Sequence, residues 1–260
     1  MSLALLFPGQ GSQFVGMGKD LADAFPAARE TFQEADEILA TPLSRLMWEG
    51  PEAELVLTRN AQPAILVHSV AVLRVVDGAL GPVAMAAGHS LGEFTAWAAA
   101  GTLTLSEALR AGRLRGERMF EAGEARPGTM AALLGMEDAA VDELCRDASV
   151  DEADLVVSAN FNAPGQVVIS GDVTAVTRAM ELARDRGARR VVPLSVSGAF
   201  HSPLMVPARD ALEEHLGAVS FRDPTFPVVS NVTARPVTDL AEARELLVRQ
   251  LTSPVRWAES

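Results

Sequence analysis

Short apolar runs alternate with longer segments of helical periodicity in the first part of the chain. The runs Leu3–Phe7 and Val83–Ala87 have the length of buried strands, whereas Lys19–Leu39 and Ala61–Val76 repeat apolar residues at helical spacing. Strands that alternate with helices are typical of a parallel sheet covered by helices. The pattern therefore predicts an α/β fold.

A different order of elements begins after the Arg126-Pro127-Gly128 turn signal and ends at Leu194. The order is βαββαβ, which is the ferredoxin-like arrangement. We therefore predict a large α/β domain formed by residues 1–126 and 195–260, with a ferredoxin-like α+β subdomain, residues 127–194, inserted in it. The predicted elements are Thr129–Leu134, Asp138–Ala148, Leu155–Ala159, Gln166–Ser170, Val173–Arg186 and Arg189–Leu194.

Composition excludes several classes of protein. With 260 residues, 48% of them hydrophobic, the chain can bury one large core. The net charge of −12 argues against a nucleic-acid partner. No apolar run approaches the roughly 20 residues that cross a bilayer. Cys145 is the single cysteine, and its helical pattern is typical of a core residue. Because one cysteine permits no intrachain disulfide, we expect a cytoplasmic protein. Because no long apolar run is present, we expect no membrane partner.

One short motif predicts a nucleophile. Gly88-His89-Ser90-Leu91-Gly92 is a G-x-S-x-G run between the apolar segment Val83–Ala87 and a helix-favouring segment. In this strand-turn-helix context the glycines permit strained backbone angles, and the serine hydroxyl lies beside a helix N-terminus. The context favours Ser90 as a nucleophile over a chance match of the pattern.

A serine hydroxyl needs a base to accept its proton, and four histidines are candidates. His68 lies in an apolar helical stretch, where a packed core residue is expected. His89 is next to Ser90 in the chain, which limits its reach, and His215 is predicted on a solvent-facing surface. His201 lies in a loop of small residues after a predicted strand, where catalytic groups are common. The sequence therefore favours His201 as the base, with a structural role as the alternative.

A glycine-rich loop, Pro8–Gln13, follows the first predicted strand. Acyl transfer needs N–H donors for the tetrahedral oxyanion; the N–H of Leu91 is one candidate, and this loop could supply a second. A nucleotide phosphate loop is the competing interpretation. Phe14, however, occupies the third glycine position of G-x-G-x-x-G, and no G-K-[ST] follows, so nucleotide binding is disfavoured.

Arg115 is a charge on an otherwise apolar or small-residue helix face. In the predicted helix Leu105–Ala122 it shares its row with Ala108, Gly112 and Met119. A guanidinium on a buried face must have an anionic or hydrogen-bonding partner. A bound anion and an internal salt bridge are equal alternatives on this pattern alone, and spacing also leaves Arg118 as an alternative inward residue.

Seven blocks of this sequence together resemble the malonyl-CoA:acyl carrier protein transacylases. These are the stand-alone acyltransferases of fatty acid synthesis and are related to polyketide synthase acyltransferase domains. The blocks occur in the family's order and span nearly the whole chain. They are Phe7–Gln13, Asn60–Ala64, Gly88–Glu93, Arg115-Gly116, Asn160–Gly171, Gly198–Ser202, and Gln250-Leu251 with Pro254–Trp257.

The resemblance implies a hydrolase-like fold for the large domain and a catalytic role for several matching residues. Ser90 would be the acylated nucleophile and His201 its base. The main-chain carbonyl of Gln250 would orient His201, in place of the carboxylate of a hydrolase triad. The N–H groups of Gln10 and Leu91 would form the oxyanion hole.

The resemblance also implies how the substrate is held. Arg115 would form a bidentate pair with the malonyl carboxylate, which its planar fork suits better than a lysine would. Gln62 and Asn160 would line the pocket. The ring of Phe200 would leave little room for an α-methyl branch on the acyl group.

The implied activity transfers malonyl from malonyl-CoA to the phosphopantetheine thiol of an acyl carrier protein by a ping-pong mechanism, for fatty acid or polyketide synthesis. This activity needs no metal or redox cofactor. The expected partners of the protein are malonyl-CoA and the carrier protein, and we expect a monomer. One alternative is a serine thioesterase or acyl hydrolase with water as acceptor, which would need an acidic triad member such as Asp172 or Asp185. A non-catalytic scaffold that binds carrier proteins is another.

Overall fold

The computed structural model describes residues 2–260 and divides into two compact units. Met1, where the predicted large domain begins, lies outside the described residues. The first unit comprises the chain up to Glu117 with two later segments, and the second unit comprises the remainder. The later segments of the first unit are Leu212–Ser230 and Arg235–Leu247, and the second unit contains Arg118–Ala211, Asn231–Ala234 and Val248–Ser260. The domain boundaries at 126/127 and 194/195 stay a prediction.

Strands and helices follow one another along the chain much as the hydrophobic pattern predicts. The strands are β1 Leu3–Phe7, β2 Val83–Gly88, β3 Gly128–Leu134, β4 Val156–Ala163, β5 Gln166–Asp172, β6 Arg190–Pro193, β7 Val228–Val229 and β8 Pro236–Val237. The helices are α1 Lys19–Ala24, α2 Pro26–Leu39, α3 Leu43–Glu49, α4 Glu52–Leu55, α5 Thr58–Val76, α6 Leu91–Ala99, α7 Leu105–Ala125, α8 Asp138–Ala148, α9 Val173–Asp185, α10 Val206–Gly217 and α11 Leu240–Arg249. Short 3₁₀ turns lie at Asp77–Ala79, Pro203–Met205, Gln250–Thr252 and Trp257–Glu259.

The helical pattern predicted over Lys19–Leu39 is two helices in the structure. Phe25, between α1 and α2, has extended backbone angles (φ −125°, ψ 119°) because the ring of Pro26 disfavours helical angles in the residue before it. None of the helices within residues 2–260 has the combination of length and hydropathy that a membrane span requires.

The sheet of the first unit has the strand order β1-β2-β7-β8. β1, β2 and β7 are parallel, and β8 is antiparallel to β7. Phe7 at the end of β1 lies opposite Gly88 at the end of β2. The carboxyl ends of these strands therefore lie side by side, so the chain leaves both strands at the same edge of the sheet.

The sheet of the second unit has the order β4-β5-β3-β6, and every neighbouring pair is antiparallel. With α8 and α9 between the strands in sequence, this is the predicted ferredoxin-like arrangement. Its core is formed by apolar residues of both helices and of the sheet. Among them are Leu133, Val141, Leu144, Val167, Ile169 and Val176.

Cys145 belongs to this core, as predicted, and is 3% exposed. Burial raises the pKa of its thiol to about 12. At pH 8 only about one molecule in ten thousand would carry the reactive thiolate. We therefore expect the native protein to show no reaction with the thiol reagent DTNB over minutes, and the guanidinium-unfolded protein to release one equivalent of chromophore. Rapid release from the native protein would contradict this burial.

Candidate active site

Ser90 lies in a strained turn between β2 and α6. Its backbone angles, φ 53° and ψ −108°, are rare for a residue with a side chain. Close packing holds the turn in place: a Cβ added at Gly88 would lie 1.9 Å from the carbonyl carbon of Gly92, and one added at Gly92 would lie 2.4 Å from the carbonyl oxygen of Phe7. Glycine is therefore required on both sides of Ser90, which explains the spacing of the motif.

The loop after β1 lies against the same turn. The N–H of His89 donates to the carbonyl of Phe7 at 3.0 Å, and a Cβ added at Gly9 would lie 2.5 Å from the carbonyl oxygen of His89. Gln10 follows Gly9, and its side-chain amide donates to Thr58 Oγ1 at 3.2 Å. The parallel strands thus bring the main chain of Gln10 to the edge of the sheet where Leu91 begins α6.

Arg115 points its guanidinium at Ser90. Its side chain is 1% exposed, Nη2 donates to Ser90 Oγ at 3.0 Å, and Nη1 donates to Gln62 Oε1 at 2.8 Å. The guanidinium carbon lies 5.8 Å from the centre of the Phe94 ring. Arg118, the alternative inward residue, is instead 46% exposed and pairs with a neighbouring carboxylate on the same helix. Arg115 is therefore the buried cation of α7.

Burial lowers the pKa of Arg115 to about 10, and the negative charge of Glu93 acts in the opposite direction. The guanidinium consequently remains charged at neutral pH. A charge held in so little solvent attracts an anion far more strongly than a surface arginine does. The first unit thus combines a nucleophile with a fixed positive charge 3.0 Å from its hydroxyl oxygen.

His201 belongs to the second unit, where it is 4% exposed and has a left-handed backbone (φ 57°). Its Nδ1 lies 2.8 Å from the carbonyl oxygen of Gln250. Because a carbonyl oxygen only accepts hydrogen bonds, Nδ1 carries the proton in this pair, and Nε2 of the neutral ring keeps its lone pair. The Gln250 carbonyl therefore sets the tautomer that a general base requires.

The loop that carries His201 is held by its own hydrogen bonds and by close packing against Gly123. Ser202 Oγ donates to the carbonyl of Ala199 at 2.6 Å and accepts from a later N–H of the turn at 3.3 Å. A Cβ added at Gly123 of α7 would lie 2.2 Å from the Ser197 carbonyl oxygen. Gly123 was not predicted from the sequence, although a glycine inside a helical pattern often marks close packing.

Phe200 and Asn160 are also in the second unit, and both are 6% exposed. Asn160 lies in β4, where the register with β5 shifts next to it. On either side of Asn160, main-chain hydrogen bonds of 2.8 Å join β4 to Val255. The roles of Phe200 and Asn160 in the pocket stay predictions.

The other three histidines are half-buried. His68 and His215 are each half-buried on a helix, and burial lowers the pKa of both imidazoles. The expectation of a solvent-facing His215 was therefore wrong, because its face of α10 also carries the buried Leu212. His89 is half-buried within the nucleophile turn.

The two acidic residues suggested for a hydrolase triad are engaged elsewhere or exposed. Asp172 pairs with Arg126 at 2.8 Å and accepts a hydrogen bond from the N–H of Leu155 at 3.0 Å. Asp185 is exposed at the end of α9. The partner of His201 Nδ1 is a main-chain carbonyl, which differs from the carboxylate of the hydrolase triad.

A strained serine at a strand-to-helix turn, beside helix N–H groups, is the arrangement of enzymes that form an acyl ester on serine, whether the acyl group then passes to a second substrate or to water. The family model described as the acyl transferase domain matches residues 4–260. The chain belongs to this family of acyltransferases.

Curated relatives and solved structures agree with this assignment. The chain is 51% identical over 259 residues to the malonyl CoA-acyl carrier protein transacylase of Bacillus subtilis, with 99% of this chain and 81% of that protein covered. It superposes with a TM-score of 0.94 on the acyl-carrier-protein-S-malonyltransferase of Bartonella henselae, at 45% identity, covering 100% of this chain and 83% of that one. One chain of a structure described as a type II polyketide synthase acyl-carrier protein in complex with its malonyl-transacylase matches with a TM-score of 0.93 at 42% identity, covering 99% of this chain and 83% of that one. The predicted resemblance and fold class, a hydrolase-like α/β domain with a ferredoxin-like subdomain, are confirmed.

Proposed function

We propose that this chain transfers malonyl groups from malonyl-CoA to the phosphopantetheine thiol of an acyl carrier protein, through an ester on Ser90. The observation that carries the proposal is the buried guanidinium of Arg115, which donates to Ser90 Oγ at 3.0 Å and to Gln62 Oε1 at 2.8 Å. The 51% identical relative named as a malonyl transacylase supports it.

The short distance between hydroxyl and guanidinium favours a small acyl group that ends in a carboxylate. In a malonyl ester of Ser90 the carboxylate carbon is three bonds from Oγ, so the carboxylate reaches a cation that lies beside that oxygen. The planar guanidinium of Arg115 can then donate two parallel hydrogen bonds to the carboxylate. Gln62 holds the other side of the guanidinium, which keeps its plane in one orientation.

In the proposed first half-reaction, His201 Nε2 accepts the proton of Ser90 Oγ as that oxygen attacks the thioester carbon. The Nδ1–H bond to the Gln250 carbonyl holds the ring while it is charged. The N–H groups of Gln10 and Leu91 donate to the oxyanion of the tetrahedral intermediate. The carbon–sulfur bond then breaks, and the proton on Nε2 passes to the leaving thiolate of coenzyme A.

The second half-reaction reverses these steps with a different thiol. His201 accepts the proton of the phosphopantetheine thiol, the sulfur attacks the seryl ester, and Ser90 recovers its proton when the ester bond breaks. Each acyl exchange is redox-neutral and consumes no cofactor.

We further propose that Asn160 and Phe200 line the acyl pocket and that residues 127–194 form the inserted subdomain. The enzyme works as a cytoplasmic monomer, with malonyl-CoA and carrier protein as its partners.

Intact-mass spectrometry after incubation with malonyl-CoA tests the proposal directly. We expect one malonyl adduct on the wild-type protein, none on Ser90→Ala, and loss of the adduct when holo carrier protein is added, with malonyl-carrier protein appearing in equal amount. Free malonate released rapidly without carrier protein would favour a thioesterase instead. An unmodified wild-type protein would rule out the transferase and leave a non-catalytic scaffold.

A further inference from the structure

Pro63 interrupts the hydrogen-bond ladder in the first part of α5, one residue after Gln62. An α-helix pairs each N–H with the carbonyl four residues earlier, and Pro63 has no N–H to give to the carbonyl of Arg59. The proline ring also crowds that carbonyl and turns it outward. The carbonyl oxygen of Arg59, in the helix segment that carries Gln62, can therefore accept a hydrogen bond from a neighbouring element.

Arg113 of α7 donates to that carbonyl. Its Nη1 lies 3.0 Å from the carbonyl oxygen of Arg59 and 2.9 Å from Asn60 Oδ1, while its Nε pairs with Glu117 at 2.7 Å. Asn60 in turn donates through Nδ2 to the carbonyl of Glu54 at 2.8 Å. One guanidinium thus ties the first turns of α5 to α7 at the site where the proline removed the helical donor.

This tie lies next to the contact that orients Arg115. Arg113 and Arg115 are two residues apart on α7, and their acceptors on α5, Arg59 and Gln62, are three residues apart. The two helices also touch here, since a Cβ added at Gly116 would lie 2.7 Å from the carbonyl oxygen of Thr58. A slide of α5 along α7 would therefore change the distance between Gln62 Oε1 and Arg115 Nη1.

We propose that Arg113 is a positioning residue for acyl selectivity: by replacing the helical donor that Pro63 lacks, it holds Gln62, and through Gln62 the guanidinium of Arg115, in the orientation that binds an acyl carboxylate. This inference rests on the proposed malonyl transfer. It assigns Arg113 no contact with substrate. A displacement of about 1 Å at a reacting or binding group can cost up to 100-fold in rate, so a tie at this point has a measurable effect.

The test is the Ser90 acylation kinetics of Arg113→Leu with malonyl-CoA and with acetyl-CoA. We expect the ratio of the two kcat/KM values, malonyl over acetyl, to fall about tenfold, mainly through a higher KM for malonyl-CoA, because binding of the carboxylate is lost equally in the ground and transition states. Acetyl transfer should stay within about twofold of the wild-type rate, since it does not use the guanidinium.

A double variant separates positioning from general damage. Pro63→Ala restores an N–H four residues after the Arg59 carbonyl, so Pro63→Ala combined with Arg113→Leu should recover most of the malonyl preference that Arg113→Leu loses. Glu117→Gln, which removes only the ion pair of Arg113, and Arg118→Leu, which removes an exposed guanidinium of the same helix, should both keep the wild-type ratio.

The outcomes distinguish this inference from the proposed function. An unchanged ratio in Arg113→Leu, or no recovery in the double variant, would refute the positioning role while malonyl transfer by the wild type still stood. If Arg113→Leu alone fails to fold, the double variant and the thermal melting temperature of each protein decide the question, because recovery of folding without recovery of the ratio also refutes it. A wild-type protein with no malonyl preference would refute the proposed function itself.

Discussion

Replacing Arg115 with alanine is expected to lower kcat/KM for malonyl-CoA by about 30-fold to several thousand-fold. Truncating one partner of a buried, hydrogen-bonded charge pair costs about 2 to 5 kcal/mol, and each 1.4 kcal/mol is a factor of ten. Arg115 is 1% exposed, and its Nη2 lies 3.0 Å from Ser90 Oγ, so solvent cannot take the place of the guanidinium. Uncharged acyl groups lose no such partner, and the preference should therefore shift toward acetyl-CoA.

Single-turnover acylation of Ser90 with malonyl-CoA and acetyl-CoA measures this shift. Arg118→Ala is the matched control, because Arg118 lies three residues further along α7 and is 46% exposed. Arg115→Lys adds a finer comparison: it keeps the charge but loses the planar fork, so we expect an intermediate malonyl rate. Equal malonyl turnover by the wild type and Arg115→Ala would refute the carboxylate-binding assignment.

Replacing His201 with asparagine is expected to slow acylation of Ser90 about 100- to 10,000-fold, which is the usual contribution of a positioned general base. Asparagine suits this test for two structural reasons. Its side-chain N–H₂ can take the place of Nδ1–H as donor to the Gln250 carbonyl, and asparagine tolerates the left-handed backbone at φ 57° better than most residues. The variant therefore removes Nε2 with little change to the loop.

His215→Asn serves as the control for this experiment. His215 is half-buried on α10, so its loss tests the general effect of removing a partly packed imidazole. The melting temperature of both variants should be recorded beside the acylation rate. Acylation of His201→Asn at the wild-type rate, in a folded protein, would show that another group accepts the proton of Ser90.

Much of the fold could be predicted because it depends on local patterns. β1 and α8 begin and end at the predicted residues, since the apolar run of β1, the helical periodicity of α8 and the adjoining turn signals define them within a few residues. The ferredoxin-like order of the second unit followed from element types alone. The break at Phe25 was missed because the helical periodicity continues across it, although Pro26 was its signal.

Less of the candidate site could be predicted from residue patterns. Periodicity placed Arg115 on the buried face of α7 but left a bound anion, an internal salt bridge and Arg118 as alternatives. The resemblance to a family suggested which residues matter, and the tautomer of His201 followed only once its Nδ1 was found 2.8 Å from a carbonyl oxygen. The tie between Arg113 and the Arg59 carbonyl had no signal beyond a proline in a helical pattern.

By itself the sequence determined the strand-turn-helix at Ser90 and the order of the elements, because these depend on residues within a few positions of one another. Only the tertiary structure decided which groups meet. Arg115 finds Ser90 and Gln62 at sequence separations of 25 and 53 residues, and His201 finds the Gln250 carbonyl at 49. Hydrogen bonds depend on distance and direction between atoms in space, and those are set by how helices and strands pack, which no periodicity along the chain contains.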